Sequence, residues 1–260
     1  MSYWTLGVVL ALSTFAMFTL AGSLVAQLAT ALPSRSARRG PAARAHRLFR
    51  LRTLPGLCGV TAGFGIALPI FLWFEDPGTN ETVNRTLGLC ASVGAWLLAR
   101  RVWRAADAWR STARVLADWQ RRSRPLGGFD APLPAFAIDD AFPIVAVIGI
   151  RRPRLFVAER VLRECAPDEV AAMISHECAH VTESDNLKRL LMRACPGVFG
   201  VARPERLWSP AAEQAADARA ASGATARLTL AGALIHVARL ALPQAPPLAS
   251  AFYLEGSIDD

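Results

Sequence analysis

No charged residue precedes Arg35 in this chain of 260 residues, and the run from Leu6 to Leu32 is apolar almost throughout. About 20 helical residues of this kind cross a hydrocarbon core of about 30 Å, so the run predicts a membrane span. It is too long for the apolar part of a secretory leader and has no basic residues ahead of it. A second uncharged stretch, Gly56 to Phe74, lies between Arg52 and Glu75. Its Pro69 is tolerable where packed neighbours satisfy the freed carbonyl. The third candidate, Thr86 to Ala99, is short, but Arg100 and Arg101 can snorkel while Val102 and Trp103 extend the apolar surface to the interface. The pattern therefore predicts three transmembrane helices, at about 6–32, 56–74 and 86–103.

The loops orient these spans. Pro33 to Pro55 carries Arg35, Arg38, Arg39, Arg44, Arg47, Arg50 and Arg52 and no acid, whereas Glu75 to Arg85 carries Glu75, Asp76 and Glu81 against one arginine. Basic loops stay in the cytoplasm, so three crossings put the N-terminus outside and everything after Arg100 inside. Arg100, Arg101, Arg104, Arg110 and Arg114 add to the same bias. The net charge of +8 belongs to these flanks. It reads as a topology signal beside a lipid bilayer, and no nucleic-acid partner is expected. The five cysteines, Cys58, Cys90, Cys165, Cys178 and Cys195, include no C-x-x-C pair and predict free thiols packed as small hydrophobes.

Beyond the spans, apolar residues from Val102 to Trp119 recur at helical spacing among arginines, which predicts an amphipathic stalk. Pro125 to Pro134, with Gly127 and Gly128, reads as a linker. The stalk and linker occupy 103–134 and a catalytic domain occupies 135–260. Ile144 to Ile150 and Arg154 to Val157 are β-rich runs around Arg151, Arg152 and Pro153, the pattern of a strand pair with a turn. From Pro167 the chain turns helical: proline and two acids open the first turn, and Val170, Met173 and Ile174 share a face. The fold class is mainly α with a small β-sheet (α+β). Leu228 to Leu242 reads as a packed domain helix, because His236 and Arg239 are costly at mid-bilayer.

The predicted helix carries His176-Glu177-Cys178-Ala179-His180. Residues four apart on a helix project from one face, one turn above the other, so both imidazoles can reach one ion. Glu177 follows the first histidine, flanks that ion without ligating it, and can hold a water for attack on a carbonyl. Catalytic zinc needs a third protein ligand and an open position. Glu213 is the best candidate, in an alanine-rich helix where Glu213 and Asp217 share a face. On spacing alone Glu213 reads equally as a ligand or a solvated helix acid, and His236 is the rival.

H-E-C-A-H, the following Val181-Thr182-Glu183-Ser184-Asp185 and the later E-Q-A-A-D together resemble membrane zinc peptidases of the beta-lactam sensor-transducer (BlaR/MecR) type, in a clan that also includes HtpX-like proteases. The similarity covers about Asp139 to Arg239, and the spans ahead of it look like that family. The resemblance implies a zincin-like domain in which Zn2+ is held by His176, His180 and Glu213. It further implies that Glu177 is the base, that Asp217 orients a ligand imidazole and that Asp185 is structural. No penicillin-binding domain follows the motif region, so antibiotic sensing is not expected.

The expected activity is zinc-dependent hydrolysis of a protein or peptide substrate at the cytoplasmic face, with a separate sensor or repressor as a further partner. The strand at Ile144 to Ile150 could hold an extended substrate by strand addition. Candidates for an oxyanion stabiliser are Tyr253, Arg219 and His236. A second reading is a low-turnover membrane transducer that docks a cytoplasmic partner; an intact Glu177 argues against it.

Overall fold

A computed structural model describes residues 2–31, 40–78, 82–127, 132–195 and 203–241. Among the described residues the chain is mostly helical, with one four-stranded sheet. It divides into two compact units: Met1–Ala108 with Arg189–Trp208, and Trp109–Lys188 with Ser209–Asp260.

In the first unit α1 (Tyr3–Ala31) runs antiparallel to α2 (Pro41–Val60), a π-helical stretch (Thr61–Ala67) and α3 (Leu68–Phe74). The pairing runs along the whole length. Tyr3 Oη donates to the Leu72 carbonyl at 3.1 Å, and at the other end Arg47 donates to the Ala29 carbonyl at 2.6 Å. Between them Gly63 sits against Ala11 and Gly59 against Thr19, so closely that neither position has room for a Cβ. Close approach over small residues replaces the hydrophobic drive that helices lack in lipid. Met17, Phe18, Val25, Leu28, Ile66 and Ile70 face outward, and Trp4, Trp73 and Phe74 are exposed at the Tyr3–Leu72 end, an arrangement suited to lipid and its interface.

Both α1 and the continuous stretch Pro41–Phe74 are long and apolar enough to cross a membrane. The second begins earlier than the expected 56, because the arginine-bearing segment from Pro41 is itself helical and continues through Pro55. Leu32, Arg35, Arg38, Arg39 and Glu81, which the sequence reading uses, lie outside the described residues.

The third expected span, 86–103, is corrected. It is the first part of α4 (Arg85–Arg121), a single helix of 37 residues. Arg100, Arg101 and Arg104 fall within the length that a crossing needs, and among the described residues two helices, neither of them α4, qualify as candidate spans. Nor does Arg101 snorkel to an interface: its guanidinium lies 5.2 Å from the Phe15 ring centroid and rests against Gly56. The cytoplasmic placement of the downstream region rests on three crossings, and two return the chain to the side on which it began.

The second unit is built around a sheet of β1 (Ser123–Pro125), β2 (Ala135–Ile138), β3 (Val145–Ile148) and β4 (Arg154–Ala158) in the order β1-β2-β4-β3. β2 and β4 are parallel and the other pairs antiparallel. The β3–β4 register runs from Val145 opposite Val157 to Ile148 opposite Arg154. The turn between them needs Gly149, whose φ of 110° is a left-handed value. Leu155 to Ala158 are fully buried. Phe156 lies between Phe136, stacked at 5.5 Å, and Trp119, edge-on at 5.4 Å. The segment read as a stalk thus supplies Trp119, with Val115 and Leu116, to this core.

Four helices follow β4 within or partly within this unit: α5 (Glu159–Glu164), α6 (Pro167–Thr182), α7 (Asp185–Ala194) and α8 (Arg203–Ala220), and α9 (Ala224–Ala241) closes the described chain. α6 starts where the sequence predicts, with Pro167 in its first turn and Glu169 accepting the Ala166 N–H at 2.9 Å. Val170, Met173 and Ile174 bury its inner face in the core. α9 contributes Ala233 to that core and is not among the candidate spans.

Candidate active site

Because α6 is regular across its motif, His176 and His180 lie one turn apart, edge to face, with ring centroids 4.9 Å from each other. Their Nε2 atoms are 3.2 Å apart. Glu213, on α8, brings Oε2 to 3.3 Å from His180 Nε2 and 3.4 Å from His176 Nε2. Ala211, Ala212 and Ala216 are the buried residues around it, so the helix presents small side chains inward and the long carboxylate reaches the histidines. The three donor atoms form a nearly equilateral triangle. Donors about 2.0–2.1 Å from a tetrahedral zinc stand about 3.3 Å from one another, so the triangle has the edge length of one face of such a site.

The charges fit the same conclusion. Burial alone would hold both imidazoles neutral, but the surrounding carboxylates outweigh it. His176 is raised by Glu213 and Glu177, and His180 is pushed up to about 9 by Asp185 and Glu213. Two imidazoles and a carboxylate converging on one point, with positive charge favoured there, is a donor set suited to a divalent cation.

Each histidine has a carboxylate behind it. Asp185 Oδ2 lies 2.8 Å from His180 Nδ1 and is only 3% exposed. Burial tends to raise its pKa, but the contacts to His180 and to Lys188, at 3.1 Å, hold it below the ordinary aspartate value. Asp217 Oδ1 is 2.9 Å from His176 Nδ1, within ion-pair range but poorly aligned, and neither atom has another hydrogen-bond partner. The path that brings Asp185 back to His180 depends on Ser184, at φ 57°, which ends α6 and lets α7 begin in a new direction.

Glu177 stands outside the donor triangle. Its Oε2 accepts the Val147 N–H at 3.0 Å, which ties the motif helix to the free edge of β3. Burial raises its pKa above the ordinary glutamate value, against the opposing pull of His180 and His176. Such a carboxylate takes up a proton more readily than an exposed one. Asn186 approaches the same strand from α7: its Nδ2 donates to the Val147 carbonyl at 3.0 Å and the Gly149 carbonyl at 3.1 Å. Neither Asn186 nor Val147 is marked by the sequence motif. Their signal is positional, a polar residue directly after Asp185 and the first strand of the β-rich pair that precedes the motif helix.

The other candidates lie elsewhere. His236 meets Glu169 at 3.0 Å, at the opposite end of α6 from His180. Arg219 is bound to Glu183, and Tyr253 lies outside the described residues. Cys165, Glu169 and His236 also approach one another within 4.8 Å. We read this second group as a helix cap: Glu169 already accepts the Ala166 N–H, and the positive end of the α6 dipole opposes a cation there.

Residues 140–242, from just before β3 through the end of α9, match the family model of Peptidase family M48. No match is found among curated proteins or solved structures. The matched segment contains every residue of the site described above, and the match supports a metallopeptidase; members of this family are typically zinc-dependent.

Proposed function

We propose that this chain is a membrane-anchored zinc endopeptidase in which His176, His180 and Glu213 hold the metal, Asp217 and Asp185 orient the two imidazoles, and Glu177 is the general base. The observation that carries the reading is the donor triangle, with edges of 3.2–3.4 Å and Glu177 beside it but not in it. Bound zinc supplies Lewis-acid polarisation of the scissile carbonyl and makes the attacking water easier to deprotonate. Glu177 takes that proton and returns it to the leaving amine, and burial suits the carboxylate to holding it in between. No covalent intermediate is needed. β3 is an edge strand beside Glu177, so an extended segment of a protein or peptide substrate can be held there by strand addition.

The resemblance to sensor-transducer and HtpX-like peptidases extends the reading to regulatory proteolysis of a cytoplasmic or membrane-proximal protein, such as a repressor, with a separate sensor as partner. The test uses the full chain in detergent with β-casein as an unfolded substrate. One zinc per chain by elemental analysis and cleavage abolished by 1,10-phenanthroline are expected. A zinc-loaded protein that leaves β-casein intact argues for the docking reading instead.

We place the catalytic unit on the cytoplasmic side, following the arginines after residue 100; with two crossings the N-terminus shares that side. Tags at the N-terminus and behind the catalytic unit should then both be digested in a protease-protection experiment on inverted vesicles. Protection of either tag overturns the placement.

A further inference from the structure

An edge strand offers hydrogen bonds only through alternate residues. In the antiparallel β3–β4 pair, Ala158 N–H donates inward to the Ile144 carbonyl at 2.7 Å. By the alternation of an antiparallel ladder, Ile144, Ala146 and Ile148 use their peptide groups towards β4, and Val145, Val147 and Gly149 turn theirs to the free edge. Three of the outward groups are already engaged: Val147 N–H by Glu177, and the Val147 and Gly149 carbonyls by the two hydrogens of one Asn186 amide. Within the strand itself, which ends at Ile148, what remains open towards a peptide is the Val145 end, and beyond it Pro143 has no N–H to give.

We infer that Asn186 is a positioning residue that closes the β3 edge beyond Val145 and thereby fixes the register in which an extended peptide pairs beside Glu177. The inference rests on the metallopeptidase reading. Its physical basis is that a strand register slips by whole residues unless something ends the ladder. Here one side chain satisfies both carbonyls beyond Val145, so a substrate gains nothing by sliding further along β3. Asn186 directly follows Asp185, so the turn that orients His180 also holds the strand.

The experiment compares the zinc-loaded full chain with Asn186→Leu, which keeps the size but not the donors, and Asn186→Gln, which keeps the donors. β-Casein is the substrate, and cut sites are mapped by mass spectrometry alongside kcat and KM. Asn186→Leu should retain one zinc per chain, raise KM with a loss of about 10-fold or less in kcat/KM, and spread cleavage to bonds neighbouring the wild-type sites. Asn186→Gln should restore most of the wild-type pattern. An unchanged cut pattern in Asn186→Leu overturns the inference, as does loss of its zinc, which would mean that Asn186 acts on the metal site. A zinc-loaded wild type that cuts nothing sinks the metallopeptidase reading itself, and is recognised before any variant is compared.

Discussion

Replacing Glu177 by glutamine is expected to lower hydrolysis of β-casein by about 10²–10⁴-fold, the range for loss of a positioned general base, with zinc content unchanged. Glutamine keeps the length of the side chain and an oxygen that can accept the Val147 N–H, so the tie between α6 and β3 survives. It removes only the ability to take a proton. The donors that meet at 3.2–3.4 Å come from His176, His180 and Glu213, and none from residue 177. In the wild type the acid limb of kcat/KM should report protonation of Glu177, whose pKa burial raises and a bound cation lowers. Activity is then lost as the pH drops and the carboxylate becomes protonated. A glutamine variant that still cleaves at the wild-type rate removes Glu177 from the chemistry.

The motif could be read in advance because its information is local: a four-residue spacing on a helix fixes which side chains share a face, and the start of α6 is announced by Pro167, Asp168 and Glu169. The β3–β4 pair was equally readable from its β-rich runs and its turn. Contacts between distant segments were not. Glu213 and a solvated acid look alike until α8 is placed against α6. Asp185, expected from the resemblance only as structural, stands 2.8 Å from His180 because a left-handed Ser184 turns the chain. No side-chain pattern advertises that turn. β1 has only three residues and ends in proline, and so gives too short a run to show a period.

The membrane segment failed for a different reason. Hydropathy counts residues along one chain, and Thr86–Ala99 looks like a span if the following arginines can reach water. Arg101 instead packs over Phe15 and Gly56. A cation that finds an aromatic face and a helix without a Cβ can stay inside the bundle. Orientation changes with the number of spans, because each crossing added or removed reverses the side of everything that follows.

Asp185→Asn should weaken zinc binding by about 10–100-fold, the usual effect of removing the group that orients a ligand histidine, and should change its pH dependence. In the metal-free protein His180 is pushed up to about 9, with the Asp185 hydrogen bond the first of the contacts that raise it against burial. At pH 7 zinc must therefore displace a proton from His180. Log affinity should rise with pH by about one unit per unit for that proton, and more steeply where His176, also raised, gives up one too. Asparagine cannot supply the charge that offsets burial, so His180 should titrate lower and the slope should fall by about one. Competition with a chromophoric chelator between pH 6 and 8 measures both quantities. The two effects separate orientation from charge: weaker binding with an unchanged slope would mean that Asp185 only holds the ring in place, and wild-type affinity and slope together would remove it from the site.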